Sequence, residues 1–228
     1  MRWKIALAVA LELAYALGTR IGLKTLFDGI ELELYTTLIR LVSAGFYWWL
    51  FRDVLRSRAP RLSSARHPLF ALGLAVSALV PVLVGDWGLA GLTTQVIFAF
   101  TSVAVGLREE ILYRGVLQNL LEPRLGWLGA ILASNVVFTL YHYGAWPFTP
   151  EYVLEFFLVG SVMGLVYYGT GSLWVTVAAH SVYDALWSFT PILAPPLAKG
   201  WGVGLEVLAF VLLTLWAWKI RGARASST

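Results

Sequence analysis

Long apolar segments recur along this chain, and they constrain its fold more than any other feature. Apolar windows of about 17–25 residues recur within them, and each window is long enough for a helix to cross a hydrocarbon core of about 30 Å. Hydrophobic residues make up 59% of the chain, whereas roughly 45–50% is usual in soluble domains. The mean hydropathy of +0.74 agrees with this excess. The sequence therefore predicts an all-α fold, a polytopic transmembrane helical bundle.

Glycine and proline residues divide the apolar segments into eight candidate helices. Their approximate ranges are 3–22, 31–51, 68–85, 92–120, 127–144, 152–169, 172–190 and 202–220. Pro123 and Gly126, for example, separate the fourth segment from the fifth. The sequence contains no visible internal repeat and no soluble domain, so residues 1–228 are predicted to form one integral-membrane domain.

Basic residues predict how this bundle is oriented. Loops that are rich in Lys and Arg stay on the cytoplasmic side of a membrane. The segment after the second helix contains five arginines, namely Arg52, Arg56, Arg58, Arg61 and Arg66. Eight spans then place both termini in the cytoplasm and the protein in the cytoplasmic (inner) membrane. Residues that flank the spans explain the net charge of +4, so the expected partner is the lipid bilayer and not a nucleic acid.

The stretch REEILYRG, from Arg108 to Gly115, introduces four charged side chains into a predicted span. Each costs at least about 2.5–3.5 kcal/mol on insertion scales, so such residues usually face a partner or a water-filled cavity. Glu110 and Arg114 are four residues apart, in the favoured order for an ion pair on one helix face. Glu109 is turned about 100° away from Glu110. The spacing therefore predicts one structural ion pair and one spare carboxylate in a polar cavity within the membrane.

Two of the three histidines also lie in apolar spans or at their ends. His142 ends the run NVVFTLYH, with Phe138 one turn before it, and His180 has Asp184 one turn after it. His67 lies in the basic loop and is interpreted as a solvated or interfacial residue. A single histidine on an apolar face is usually a structural group. Two of them together with a spare carboxylate predict a functional site.

Glutamate and histidine favour the activation of water against a carbonyl group, with positioned donors that stabilise the oxyanion. The sequence contains no convincing Ser-His-Asp arrangement and no HExxH zinc helix. It contains no cysteine, which excludes a thiolate nucleophile and a cysteine zinc site. Glutamate and histidine also bind metal ions, so metal-bound water is a second option.

Three motifs follow one another along the apolar segments. EEILYR at 109–114 fits EExxxR, FTLYH at 138–142 fits FxxxH, and HSVYD at 180–184 fits HxxxN/D. Each motif alone is weak, but their order and spacing resemble the CAAX protease and bacteriocin-processing family, also called CPBP or Abi. The signature covers about residues 92–190. This resemblance implies a glutamate-type intramembrane protease, an endopeptidase of the CAAX type.

The resemblance also implies the roles of the motif residues. Its catalytic residues would be Glu109 and His142, which handle the water, and His180 and Asp184, which form or support the oxyanion site. Its supporting residues would be Glu110, Arg114 and Phe138. The family is also discussed as metal-dependent, and Glu109, His142 and His180 would supply two histidines and one glutamate to zinc.

Asp184 stands where the family commonly has asparagine. An ionised aspartate cannot donate a hydrogen bond to an oxyanion. Asp184 must therefore either be protonated or orient His180.

Three functions are compatible with this polar set. The first is a protease for a membrane-anchored or lipidated peptide, such as a prenylated CAAX-like tail, a bacteriocin leader or a sorting signal. The alternative is a membrane transporter or proton-relay protein, because intramembrane Glu, His and Arg also build proton relays. The lack of an internal repeat counts against a transporter. The third is a non-catalytic immunity or scaffold protein on the same fold.

Overall fold

The fold is known from a computed structural model, which describes residues 2–56, 75, 82–83, 91–145, 149–189 and 200–225. These residues form helices and no β-strand, so the prediction of an all-α protein is confirmed. The predicted third helix, 68–85, lies outside the described residues except for residues 75, 82 and 83. His67 also lies outside them.

The described helices follow the predicted order. The N-terminal part contains α1 (Arg2–Leu17), the π-helix π1 (Gly18–Leu23), α2 (Lys24–Leu26), α3 (Gly29–Leu50) and α4 (Arg52–Arg56). The central run contains α5 (Leu92–Glu110), the π-helix π2 (Ile111–Gln118) and α6 (Asn119–Tyr141). The C-terminal part contains α7 (Pro150–Thr170), α8 (Leu173–Trp187) and α9 (Gly200–Ala225).

The predicted boundary between the fourth and fifth helices is a kink. Gly126 has φ 70° and ψ 173°, which is not helical, while helical structure continues on both sides of it. Glycine has no Cβ and adopts a positive φ readily. Pro123, three residues earlier, has no backbone N–H to continue the helical hydrogen bonds. The chain therefore changes direction at the predicted place without an intervening loop.

The helical segment that carries the second part of the EExxxR motif is wider than a regular α-helix. The helix π2 follows directly after Glu110, and all eight of its residues are buried. π-Helical turns are rare and occur frequently at functional sites. The sequence predicts a regular helix here, because no residue of ILYRGVLQ marks a π-helix.

Close contact between α5 and α8 positions the polar residues. Gly106 on α5 faces α8 so closely that a Cβ atom there would lie 2.6 Å from Oγ of Ser181. The same Cβ would lie 3.1 Å from the carbonyl oxygen of Val177, so a larger residue would push the two helices apart. Glu109 lies one turn after Gly106, and His180 lies directly before Ser181, so the contact brings the EExxxR and HxxxN/D motifs together.

Ionisable groups are buried in this fold while large apolar side chains are exposed. Arg108, Glu110 and Arg114 are at most 1% exposed. The exposed faces of α3 and α9 present Leu34, Leu38, Leu41, Trp49, Leu208, Leu212, Leu215 and Trp218. Contiguous apolar surface of this kind suits a lipid environment and not water.

Two described helices are long and apolar enough to cross a membrane by length and composition, Trp3–Leu26 and Pro150–Thr170. The predicted number of eight spans is therefore not confirmed. Several other helices are less apolar because they carry charged residues: α3 contains Glu31, Glu33 and Arg40, and α5 ends in REE.

A buried ion pair connects the first helix to the central run. Nη2 of Arg108 contacts Oε2 of Glu12, and the two side chains are 0% and 3% exposed. The Tyr113 hydroxyl donates to Oε1 of Glu12 at 2.5 Å. The guanidinium carbon of Arg108 also lies 3.5 Å from the centre of the Tyr15 ring. No local spacing in the sequence predicts a partner for Arg108, because Glu12 is 96 residues away.

Replacement of Glu12 by alanine should therefore destabilise the protein strongly. It leaves the buried Arg108 charge without its carboxylate, which typically costs about 3–5 kcal/mol. Thermal unfolding of the purified protein in detergent measures the loss. The matched control is Glu31→Ala, which removes an exposed glutamate. Equal unfolding temperatures for the two variants would contradict a stabilising role of this pair.

Candidate active site

Five of the seven predicted site residues line one cavity of about 380 Å³. They are Glu109, Phe138, His142, His180 and Asp184. Glu109 lies on α5, and Phe138 lies on α6. His142 directly follows α6, and the other two lie on α8. Glu110 and Arg114 do not line the cavity and lie behind it.

Glu110 is held between a cation and an imidazole. Its Oε1 lies 3.1 Å from Nη1 of Arg114, so the ion pair that the i,i+4 spacing predicts is present. The same oxygen lies 2.8 Å from Nδ1 of His180. Arg114 also donates through Nη2 to the carbonyl oxygen of Gly160, at 2.7 Å. Glu110 therefore links α5 to α8 and fixes the orientation of the His180 ring.

Glu109 points away from this pair and towards the cavity. It is 3% exposed, and its Oε2 has no hydrogen-bond partner among the described residues. Nε2 of His180 lies 3.8 Å from Oε2 of Glu109. The carboxylate that the spacing predicts to be spare is thus the one that faces the cavity.

The two nitrogens of His180 have different surroundings. Nδ1 faces Glu110, and a carboxylate can only accept, so Nδ1 donates its proton there. Nε2 faces the cavity side, 3.5 Å from Oδ2 of Asp184 and 3.8 Å from Oε2 of Glu109. Nε2 is therefore the ring atom that can meet a substrate.

His142 reaches the same cavity from the end of α6. Its Nδ1 donates to the carbonyl oxygen of Phe138 at 2.8 Å, because a carbonyl oxygen can only accept. The ring stacks on Phe156, with centroids 4.1 Å apart. These contacts fix the ring and leave Nε2 as an acceptor. Simple span boundaries put His142 near the end of its helix, and the cavity extends far enough to include it.

The predicted zinc ligands do not form a metal site in this geometry. Within the described part of the chain, no group of three or more His, Asp or Glu side chains is placed to hold a metal ion. Glu109, His142 and His180 line one cavity, but they do not converge on one point. Zinc binding stays a prediction.

The comparison with known families agrees with the motifs. Residues 91–186 match the family model described as Rce1-like, type II CAAX prenyl endopeptidase Rce1-like. The matched region is less than half of the chain. The resemblance to CAAX-processing proteases is thereby confirmed, and the matched range contains every predicted site residue. No curated protein and no solved structure matches the chain.

The match to the Rce1-like family model has two implications. It implies protease activity of the CAAX endopeptidase type. The match and the exposed apolar helices both suggest a membrane protein.

Four further charged residues line the cavity, and no sequence motif predicted them there. They are Arg20, Glu33, Arg40 and Glu155. The first three precede the Rce1-like range, so no family motif includes them. Glu155 lies within the range, and the Tyr183 hydroxyl donates to its Oε1 at 3.1 Å. Its position inside the apolar segment α7 was the one signal that the sequence offered.

Replacement of Arg114 by alanine should destabilise the Rce1-like region far more than Glu109→Gln. Arg114→Ala leaves Glu110 buried without its cation, at a typical cost of about 3–5 kcal/mol. Glu109→Gln keeps the side-chain shape and removes no hydrogen bond between described residues. Thermal unfolding in detergent compares the two variants. Normal stability of Arg114→Ala would contradict a structural role of this ion pair.

Proposed function

We propose that this protein is an intramembrane endopeptidase that hydrolyses a peptide bond in a membrane-associated, lipidated peptide. The observation that carries the proposal is the different environment of two adjacent carboxylates. Glu110 is occupied by Arg114 and His180, whereas Glu109 faces a cavity that also contains His142. A spare carboxylate and an imidazole acceptor together can position and deprotonate water.

In the proposed reaction, Glu109 takes a proton from a water molecule that Nε2 of His142 holds by accepting its other hydrogen. The water oxygen forms a bond to the carbonyl carbon of the scissile peptide, and the carbonyl oxygen becomes the oxyanion of a tetrahedral intermediate. Glu109 then passes its proton to the amide nitrogen. The C–N bond breaks and releases a carboxylic acid and an amine.

His180 is proposed to stabilise the oxyanion. Its ring is fixed through Nδ1 by Glu110, so Nε2 is directed at the cavity. With a proton on Nε2, the ring donates to the developing negative charge, which is a large contribution to catalysis in comparable sites. Asp184, at 3.5 Å from Nε2, then stabilises the positive charge of the doubly protonated ring and need not donate itself.

The proposed setting is the cytoplasmic membrane, with eight spans and both termini in the cytoplasm. The arginine-rich segment after α3 and the exposed apolar faces support this arrangement. The proposed substrate carries a lipid, because the matched family is described as a prenyl endopeptidase. A lipid anchor would also keep the peptide at the depth of a cavity enclosed by apolar helices.

Replacement of Glu109 by glutamine should reduce cleavage by about 10²–10⁴-fold, the usual contribution of a general base. The assay follows a farnesylated fluorogenic peptide with a CAAX-like tail, in detergent, and mass spectrometry locates the cleaved bond. Glu151→Gln is the matched control, because Glu151 is an exposed glutamate outside the cavity. Full activity of Glu109→Gln would overturn the proposed role.

The same preparations also distinguish a protease from a proton pathway. Reconstituted in liposomes, the wild-type protein should show no Glu109-dependent proton flux. Flux that disappears in Glu109→Gln, without any peptide cleavage, would favour the transporter alternative.

Metal removal tests whether side chains alone activate the water. The proposed route predicts that cleavage persists after exhaustive treatment with a chelator, in protein shown by elemental analysis to contain no metal. Stoichiometric zinc that is lost in both Glu109→Gln and His142→Ala would contradict this prediction. The enzyme would then be a metalloprotease in which zinc activates the water.

A further inference from the structure

We propose that Arg40 is a positioning residue whose guanidinium compensates the charge of Asp184 beside the oxyanion site. The inference rests on the proposed peptidase function and adds to it a residue that no motif includes. Arg40 lies on α3, ahead of the Rce1-like range. It lines the same cavity as His180 and Asp184.

The His180 ring is surrounded by negative charge. Oε1 of Glu110 lies 2.8 Å from Nδ1, and Oδ2 of Asp184 and Oε2 of Glu109 lie 3.5 Å and 3.8 Å from Nε2. One imidazolium cannot neutralise three carboxylates. Glu110 has a second cation in Arg114, and Glu109 must stay available as the base. Asp184 is therefore the carboxylate that needs a further cation.

The position of Asp184 makes this compensation important for the reaction. Asp184 lies next to Nε2 of His180, the atom proposed to donate to the oxyanion. An uncompensated carboxylate there would repel the negative charge that develops on the substrate carbonyl. Coulomb interactions of this kind are stronger in a partly buried site than in water. The oxyanion site therefore needs positive charge on the far side of Asp184.

Arg40 is placed to supply that charge. It is close enough to Asp184 to act on it electrostatically, across the cavity that both residues line. Arg20, the other arginine of the cavity wall, lies beside His142 instead, because its Nη1 donates to the carbonyl oxygen of Tyr143. The two arginines thus serve different ends of the cavity.

An ion pair within α3 fixes the side chain of Arg40. Its Nη1 lies 2.8 Å from Oε1 of Glu33, which is two helical turns earlier, and the two side chains are 20% and 12% exposed. The helix α3 packs against α5, which carries Glu109. Arg40 is therefore held in the cavity wall by its own helix and does not depend on a substrate for its position.

The contacts form a row of alternating charge across the site. In order, the row contains Arg40, Asp184, His180, Glu110 and Arg114. The contacts from Asp184 onwards measure 3.5, 2.8 and 3.1 Å. Each carboxylate of the row lies between two cations. Loss of Arg40 would leave Asp184 with His180 as its one cation in the row, and His180 must also serve the oxyanion.

A kinetic double-mutant cycle of Arg40→Gln and Asp184→Asn tests this role with the farnesylated CAAX-like peptide. Arg40→Gln alone should lower kcat by about tenfold with little change in KM, because the repulsion acts on the developing oxyanion. In the Asp184→Asn background, Arg40→Gln should change kcat little, since a neutral amide needs no compensation. An equal loss of kcat in both backgrounds would overturn the inference and leave the peptidase function intact.

Two further variants separate charge from structure. Arg40→Lys retains the positive charge and should retain most of the kcat that Arg40→Gln loses. A loss as large as that of Arg40→Gln would show that charge is not what Arg40 supplies, and would overturn the inference. The matched control is Arg52→Gln, which removes an exposed arginine outside the cavity and should keep the wild-type kcat.

The same cycle, followed by thermal unfolding in detergent, tests the coupling without cleavage. Arg40→Gln should lower the unfolding temperature by about 2–4 °C more in the wild-type background than in the Asp184→Asn background. Equal falls in both backgrounds would show that the two residues are not coupled and would overturn the inference, whether or not any peptide is cleaved. Coupled unfolding in a wild-type protein that cleaves no peptide would support the charge compensation and contradict the peptidase function alone.

Discussion

The bond between Glu110 and His180 is the contact on which the site depends. It joins α5 to α8 through a pair of residues 70 positions apart, at 2.8 Å. Arg114 compensates the charge of Glu110, and the fixed Nδ1 leaves Nε2 of His180 directed at the cavity. Because Glu110 has these partners, Glu109 is left to face the cavity. Two chemically identical neighbours acquire different environments through one set of contacts.

The sequence predicted the parts of the site that depend on local spacing. The i,i+4 relation of Glu110 and Arg114 predicted their ion pair, and the 100° rotation predicted that Glu109 would point elsewhere. Apolar segments with Gly and Pro between them predicted an all-helical chain and the break at Gly126. These features were predictable because the number of residues between two positions in a helix determines whether their side chains share a face.

Contacts between distant segments were not predictable in this way. Glu12 and Arg108 are both recognisable as costly intramembrane residues, but no spacing rule connects residues 96 positions apart. The same holds for Arg20, whose place in the cavity wall depends on packing between α1, π1 and α6. The π-helix after Glu110 was missed for a different reason, since π turns have no clear residue signature.

The contact between Glu12 and Arg108 has a consequence for what counts as a unit in this protein. The family match begins at residue 91, but the carboxylate that neutralises the buried Arg108 comes from the first helix. The segment that matches the family model is thus smaller than the segment in which this buried charge is compensated. An excised 91–186 fragment would carry every motif and still contain an uncompensated charge at its centre. The motif region therefore depends on a helix before residue 91 to compensate its buried charge.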